Sequence, residues 1–451
     1  MDQRIVSFRA ALDARPVTGF HIRMIVIAVL LLLTEGFDSQ AIGYVAPALR
    51  ELLHLTPLQM GGALSVGLFG LTIGALLFAP LADRFKTRGL LVVCILICGI
   101  STLATIWVSS LQMLIACRFL TGFGVGGVMP QAVGVVSEYA PTRWRATIVT
   151  IAVSGFSLGG VVGGTVSAAL IPTYGWQSVL IFGGVAALLM LPLALWSFPN
   201  SLPQLLNSAE PRAELAKVVA ILTPGWKEPK VSASETKERF PVGLLFEGGY
   251  ANRTLLIWVA YFMNIMALYF ILNWLPSVLK GGGLSIGRAS VITSLYSAGG
   301  IVGGLLFSYI SDKTRPQWML GIAYVGSALC LISLGSAGTN AVLLTASAIG
   351  AGFCTIGGQN SMNAFTSAYY PAAARATGLG WALGIGRCGS ILGPYLGGVL
   401  LQMGVSGPNL LKLVAIPALI TAIAILLVPK SPEAGAQDPE FGGRLQAVAS
   451  H

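Results

Sequence analysis

Charged residues are scarce in this sequence of 451 residues. Asp, Glu, Lys and Arg together make up 10% of it, whereas a soluble globular protein has about 25%. Hydrophobic residues make up 55%, and apolar segments of about 20 residues, the length that crosses a bilayer, recur along the chain. The composition excludes a soluble protein and predicts an all-α polytopic membrane protein.

Residues that build metal sites and disulfides are also few. The three histidines lie outside the predicted membrane spans, and the six cysteines all lie within them. No spacing typical of a zinc site or a disulfide framework occurs, and no nucleophile stands in a pattern with a general base. The sequence therefore predicts neither an enzyme nor a bound metal or cofactor.

Twelve apolar segments are predicted to span the membrane. Their approximate bounds are 24–46, 58–80, 89–109, 111–136, 147–170, 177–198, 254–279, 285–310, 317–336, 340–367, 374–401 and 408–429. One long polar connection separates the first six from the last six. The predicted divisions are a cytoplasmic N-terminus (1–23), an N-terminal six-helix bundle (24–198), a cytoplasmic central loop (199–253), a C-terminal six-helix bundle (254–429) and a cytoplasmic tail (430–451).

The distribution of basic residues predicts the orientation of the chain. With the N-terminus inside, 21 of the 27 Lys and Arg residues fall on the cytoplasmic side and four fall in the outer loops. Cytoplasmic loops of membrane proteins carry the excess of Lys and Arg. Both termini are therefore predicted to be cytoplasmic. The net charge of +10 follows from this topology, and no nucleic-acid partner is expected.

The two halves of the sequence resemble each other at a constant offset. The matching pairs are PLADRFKTR (80–88) with YISDKTR (309–315), SEYAPTRWRAT (137–147) with SAYYPAAARAT (367–377), and VAPALRE (45–51) with WLPSVLK (274–280). Equivalent residues are 229 or 230 positions apart. Two repeated six-helix halves are typical of secondary transporters, whose substrate site lies near the membrane midplane between the halves.

The D-R-x-x-x-R loop after the second span and the six-plus-six layout resemble the major facilitator superfamily. Four segments are similar to its aromatic acid/proton symporters, in particular to bacterial 4-hydroxybenzoate and protocatechuate permeases: EGFDSQAIGYVAPAL, RFLTGFGVGGVMPQAVGVVSEYAPTRWRAT, YFMNIMALYFILNWLP and RATGLGWALGIGRCGSILGP. The resemblance extends from about residue 24 to 429. It implies alternating-access uptake of a small aromatic carboxylate together with protons. It also implies a protein that functions as a monomer in the lipid bilayer of a bacterial inner membrane.

Four charged residues lie inside the predicted spans and well away from the span ends: Glu35, Asp38, Arg118 and Arg387. An ionised side chain at mid-membrane costs about 2.5–3.5 kcal/mol on insertion scales, so these residues are expected to face the protein interior. Glu35 and Asp38 are three apart and share one helix face. With Arg118 they are predicted to couple protons to transport. Alternatively, Arg118 pairs permanently with an acid of the first span and only holds the N-terminal half together.

Arg387 is predicted to anchor the substrate carboxylate. No acid occurs within a C-terminal span to pair with it, and a bound carboxylate would accept two charge-assisted hydrogen bonds from its planar fork. The resemblance implies an arginine at this position. It also implies that Asp38 occupies the second acidic position of the family motif, whereas Glu35 departs from the usual aspartate and extends the carboxyl by about 1 Å.

Further residues are predicted to line the substrate pocket or to form the cytoplasmic gate. Pocket candidates are polar or aromatic residues within spans: Phe37, Tyr44, Gln131, Tyr269, Asn273, Trp274, Tyr296, Gln359, Asn360 and Asn363. Each of these could instead make a helix–helix contact, and Trp274 could be an interfacial anchor. The gating candidates are charged residues of the repeated loops: Asp83, Arg84, Arg88, Glu138, Arg143, Arg145, Asp312, Arg315 and Arg375.

Other functions fit the sequence less well. Proton-coupled efflux of aromatic or amphiphilic compounds is one alternative, but GFSLGGVVGG (155–164) has Gly160 where the antiporter signature has proline. A sugar porter is disfavoured because FPNSLPQLL (198–206) lacks the P-E-S-P-R sequence typical after span six. A membrane sensor that does not transport is an alternative of a different class, disfavoured by the intramembrane charges.

Overall fold

The computed structural model describes residues 3–207, 213–226, 245–246, 251–311, 314–370 and 375–429. Every regular element within these residues is helical. In chain order the α-helices are α1 (Gln3–Asp13), α2 (Gly19–Leu52), α3 (Pro57–Arg84), α4 (Thr87–Ala104), α5 (Leu111–Tyr139), α6 (Arg145–Tyr174), α7 (Gln177–Ser197), α8 (Leu202–Asn207), α9 (Ala213–Leu222), α10 (Ala251–Gly281), α11 (Ile286–Ser311), α12 (Pro316–Ser336), α13 (Ala341–Tyr369), α14 (Arg375–Gln402), α15 (Gly407–Leu413) and α16 (Ala415–Leu427).

The helices coincide with the predicted spans. Eleven helical segments of the described residues are long and apolar enough to cross a membrane. The remaining predicted span is α14, which is 28 residues long. Its glycines and Arg387 lower its mean hydropathy. The last predicted span is divided into α15 and α16, because Pro417 lacks an N–H and its ring crowds the carbonyl one turn earlier.

The first of two compact units comprises residues 1–236, 272–294 and 395–403. Within it α3 packs against α5, α2 against α6, and α4 against both α5 and α7. Small residues permit these close approaches, since a Cβ added to Gly122 of α5 would overlap the carbonyl of Gly67 in α3, and one added to Gly126 would overlap that of Leu71. Helices that carry glycine at such positions can bring their backbones into contact.

Three short helices, α1, α8 and α9, cover one end of this unit and are called the helical collar below. Phe8 of α1, Leu206 of α8 and Val218 of α9 belong to one buried apolar cluster with residues of α2, α4 and α5. The ring of Phe8 meets that of Trp226 edge-on, with 5.3 Å between the centroids. The apolar faces of the collar are thus buried against the bundle.

The sequence predicted only part of this collar. Within the predicted central loop, the sequence from about 203 to 222 indicates an amphipathic helix at the membrane surface, and the structure has α8 and α9 there. Helix α1 was not expected, although Ile5, Phe8 and Leu12 follow the three- and four-residue spacing of an amphipathic helix. This spacing is the signal that would have revealed it.

The second unit comprises residues 237–271, 295–394 and 404–451. In it α12 packs against α13, α15 and α16. Helix α14 lies close to α10, because a Cβ on Gly389 would overlap the carbonyl of Phe262 and one on Gly393 would lie 2.5 Å from that of Met266. These glycines belong to the GSILGP segment, which therefore provides a close helix contact in this unit.

Candidate functional site

The acidic residues of the first span lie on a buried face of α2 in the first unit. Glu35 is 4% exposed and Asp38 is 3% exposed. Thr102 of α4 donates a hydrogen bond of 2.7 Å to one carboxylate oxygen of Asp38, and the thiol of Cys98 lies 3.9 Å from the other. Asp38 is therefore held by polar groups of α4.

Arg118 is equally buried, with 3% of its surface exposed. Its guanidinium donates to the hydroxyl of Thr105 at 2.8 Å and to that of Thr121 at 3.3 Å. Among the residues that the structure describes, Arg118 and Asp38 do not form a salt bridge. The alternative role of Arg118 is a permanent pair with an acid of the first span. In this structure that acid is not Asp38.

A small cavity lies between these charges. Asp38 and Arg118 both line it, together with Thr121 and with Asn273, which belongs to the same unit. Its volume is about 30 Å³. A cavity of about 10–15 Å³ holds a water molecule, whereas about 150 Å³ accommodates benzene. The cavity therefore has room for water and not for an aromatic ring.

Two predicted pocket residues of α2 lie on a different face of that helix from Asp38. The ring of Phe37 packs on that of Phe182 in α7, with centroids 5.3 Å apart. The hydroxyl of Tyr44 donates to the carbonyl of Gly160 in α6 at 3.1 Å. In this structure both side chains make helix–helix contacts, and Tyr44 uses its hydroxyl to do so.

Arg387 lies in the second unit and is partly buried on α14. It donates to the phenolic oxygen of Tyr269 in α10 at 3.3 Å. Within the described part of the chain it forms no salt bridge with an acid. Five N–H donors are present in a guanidinium, so Arg387 retains donors for an anionic ligand.

A network of amides and phenols joins α10 and α13 in the same unit. Asn264 donates to Gln359 at 2.7 Å, Gln359 donates to Asn363 at 3.0 Å, and Tyr261 donates to the same Asn363 oxygen at 2.9 Å. Sequence reasoning selected Gln359 and Asn363 but missed Tyr261 and Asn264. An asparagine within an apolar span is itself a signal of a buried polar partner.

The other predicted pocket residues occupy different environments. Trp274 and Tyr296 are buried, so Trp274 is not an exposed interfacial anchor. Asn360 is exposed and lies next to Gly304 of α11. Gln131 is buried in α5, where its amide lies 3.5 Å from the sulfur of Cys94.

Two gating candidates contact the helical collar or the residues that lead into it. Arg88 forms a salt bridge of 2.6 Å with Glu214 of α9. Glu138, at the end of α5, accepts hydrogen bonds from the hydroxyl of Ser201 at 2.8 Å and from the backbone amide of Leu202 at 2.7 Å. Both residues therefore connect the chain segment after α7, which contains α8 and α9, to the end of the helix bundle.

The remaining gating candidates are at the surface or near α1. Arg143 donates to the carbonyl of Arg15 at 3.1 Å, and Arg145 interacts electrostatically with Asp13. Three others are exposed: Arg84, Arg315 and Arg375. Asp312 and the side chain of Asp83 lie outside the described residues.

Comparison with known proteins places this helical architecture in a family. Residues 28–287 and 257–450 both match the Major Facilitator Superfamily. The chain belongs to the Major Facilitator Superfamily. It is thus a multi-pass membrane protein of the twelve-span fold, and the expected fold class and family are confirmed.

Curated members of the Major Facilitator Superfamily resemble the chain over almost its full length. It is 38% identical over 418 residues to a gallate transporter of Pseudomonas putida, covering 92% of this chain and 93% of the relative. It is 32% identical over 426 residues to a 4-hydroxybenzoate transporter of Pseudomonas aeruginosa, covering 93% and 95%. The prediction that the chain is a transporter and not an enzyme is confirmed by these relatives.

Solved structures of the superfamily share the fold. A D-xylose-proton symporter aligns with a TM-score of 0.71 at 18% identity, covering 92% of this chain and 99% of that one. A bacterial homologue of the human lysosomal transporter Spinster aligns with a TM-score of 0.67 at 15% identity, covering 96% and 98%. At these identities the similarity concerns the fold alone.

Proposed function

We propose that this protein takes up a small aromatic carboxylate together with protons by alternating access. The names of its relatives support the substrate class, since the two quoted above transport gallate and 4-hydroxybenzoate and a third, 28% identical over 437 residues, is a benzoate transport protein of Acinetobacter baylyi. These substrates share a carboxylate on a benzene ring. The topology proposed with this function has both termini in the cytoplasm of a bacterial cell.

The observation that carries the substrate assignment is the environment of Arg387. Its guanidinium is partly buried and donates to Tyr269 at 3.3 Å, with no acid bound to it among the described residues. An uncompensated cation in a low-dielectric site is costly. A substrate carboxylate would neutralise Arg387 and accept two parallel hydrogen bonds from it, while Tyr269 would orient the guanidinium.

The ring hydroxyls of the substrate have candidate partners in the same unit. Gln359 and Asn363 are partly exposed, and their hydrogen bonds to Asn264 and Tyr261 hold them in position. Amides offer both donors and acceptors, as phenolic hydroxyls require. This network is the part of the proposed site that would distinguish hydroxylated from unsubstituted benzoates.

Proton coupling is assigned to Glu35, Asp38 and Arg118. A buried carboxyl can bind a proton when its environment changes, whereas an arginine remains charged. One proton that accompanies a monoanion makes transport electroneutral, and a second would add a contribution of about 2.3 kcal/mol per 100 mV of membrane potential. The two acids of α2 therefore allow either stoichiometry.

The test is uptake by proteoliposomes that contain the purified protein. With an inward proton gradient, labelled 4-hydroxybenzoate, protocatechuate or gallate should accumulate, and an uncoupler should abolish the accumulation. Uptake that is insensitive to the uncoupler would contradict proton symport. Extrusion under the same inward proton gradient would instead favour the efflux antiporter, and binding without any transport would favour the sensor.

A further inference from the structure

Hydroxyl groups of α4 and of the turn that follows it lie against both charges of the proposed coupling site. Thr102 donates to Asp38 at 2.7 Å, and Thr105 accepts from Arg118 at 2.8 Å. Thr102 is 1% exposed and Thr105 is fully buried. The two threonines are three residues apart, so they present their hydroxyls on one face. Each charge therefore has its own hydroxyl partner.

The partner of Arg118 is fixed by further hydrogen bonds. The hydroxyl of Thr105 donates to the carbonyl of Ser101 at 2.9 Å, which directs its lone pairs to the guanidinium. Ser101 in turn shares a hydrogen bond of 2.9 Å with Thr121, the second acceptor for Arg118. Arg118 is thereby held against two hydroxyls, which Ser101 fixes in place, and both Arg118 and Asp38 line the cavity.

Thr102, which contacts Asp38, and Arg118, which does not, differ in the protonation states of Asp38 that they could accommodate. A threonine hydroxyl can donate to an ionised carboxylate and, after rotation about its C–O bond, accept from a protonated one. A guanidinium can only donate and therefore favours the ionised carboxylate alone. Thr102 fits both protonation states of Asp38, and a direct pair with Arg118 would fit one.

We propose that Thr102 and Thr105 are positioning residues for proton coupling, which hold Asp38 and Arg118 apart so that Asp38 can bind and release its proton. The inference rests on the proposed proton symport. The other charged or titratable groups around Asp38 are Glu35 on its own helix, Cys98 of α4 and Arg118 of α5. Helix α3 contributes only leucine and glycine to the cavity, and α10 contributes Asn273.

The decisive variant is Thr102→Val, which removes the hydroxyl and keeps the shape. Exchange of labelled 4-hydroxybenzoate across proteoliposomes without a proton gradient should continue near the original rate. Accumulation driven by a proton gradient should fall on the order of tenfold, the effect of one buried hydrogen bond to a charged group, and its pH profile should shift. Thr102→Ser should restore both.

Thr72→Val is the matched control, because Thr72 is a partly buried threonine of α3 whose hydroxyl donates to the carbonyl of Leu68 in its own helix. This variant should keep the original pH profile. If Thr102→Val does not fold, Thr105→Val provides the test. Because this variant removes a hydrogen-bond acceptor of Arg118, it should show the same loss of accumulation while exchange is retained.

Two failures can be separated. Accumulation by the unmodified protein that ignores an uncoupler would overturn the proposed symport itself. Accumulation that requires the proton gradient in the unmodified protein, together with an unchanged pH profile in folded Thr102→Val or Thr105→Val, would overturn the positioning role alone.

Discussion

Glu51 and Lys280 form a salt bridge of 2.6 Å, and they are 229 residues apart. This separation equals the offset between the two sequence repeats, so the two residues occupy equivalent positions in the halves. A second contact has the same property: a Cβ on Gly43 would lie 2.7 Å from the carbonyl oxygen of Leu272. Both contacts lie within the first unit and join the C-terminal part of α2 to residues 272–280 of α10.

The salt bridge predicts a conformational requirement for transport. It is partly exposed, and such pairs contribute about 0–1 kcal/mol, so its charges can separate readily. Under alternating access, α2 and α10 must part at this end. A short cleavable cross-linker between Glu51→Cys and Lys280→Cys should abolish proteoliposome uptake, and cleavage of the linker should restore it.

The controls for this prediction are the two single-cysteine variants treated with the same reagent, which should keep their uptake. Normal uptake by fully cross-linked protein would contradict the separation of these helices.

Arg387→Lys should weaken binding of aromatic carboxylates although it keeps the charge. Lysine cannot form the two parallel hydrogen bonds of a guanidinium fork, and hydrogen bonds to charged groups contribute about 1.5–3 kcal/mol each, so we expect affinity to fall by about 10- to 100-fold. Titration calorimetry with 4-hydroxybenzoate measures the change.

Arg288→Lys is the control for Arg387→Lys, because Arg288 is an exposed residue of α11 and this variant should bind as the original protein does. Equal affinity in both variants would remove Arg387 from the carboxylate site.

Gly122→Ala should lower thermal stability, whereas Gly134→Ala should not. A methyl group on Gly122 would overlap the backbone of Gly67, and Gly134 of the same helix has open space around it. Overpacking of this kind costs about 1–3 kcal/mol, while alanine at an open helical position is stabilising by about 0.5–1 kcal/mol. The fraction of monodisperse protein that remains after heating should separate the two variants, and equal stability would contradict the close contact of α3 with α5.

Docking of α1 should weaken in acid because of Asp13. Slight burial raises the pKa of Asp13, but hydrogen bonds from the backbone and hydroxyl of Thr142, with the nearby charges of Arg145 and Arg9, hold this pKa below its ordinary 3.8. A carboxyl whose pKa is lowered by folding stabilises the folded form above the unfolded pKa and loses that effect as the pH falls.

Hydrogen exchange of residues 3–13 checks this effect. Protection should decrease as the pH is lowered from about 5 to about 3, after correction for the intrinsic pH dependence of exchange. Asp13→Asn should show reduced protection at neutral pH and little further change in acid. Unchanged protection in Asp13→Asn would contradict the role of this contact.

The positions of the spans were predictable because burial in a bilayer demands long apolar runs, and each run is visible without knowledge of its neighbours. The intramembrane charges were predictable for the same energetic reason. Their partners were not. Thr102 lies in the apolar helix α4 and Thr105 in the turn that follows it, and only packing of this segment beside α2 and α5 places them against Asp38 and Arg118.

The sequence alone thus determines that four charged side chains face the protein interior, because a charge within a membrane span must do so whatever the exact fold. They are Glu35, Asp38, Arg118 and Arg387. The roles of their neighbours depend on which side of a helix faces which partner. Phe37 and Tyr44 share α2 with Asp38, yet their rotation about the helix axis directs them to α7 and α6. Local sequence determines that a helix forms and crosses the membrane. Tertiary packing decides which hydroxyl, amide or carbonyl each buried polar group meets, since those contacts join residues far apart in the chain.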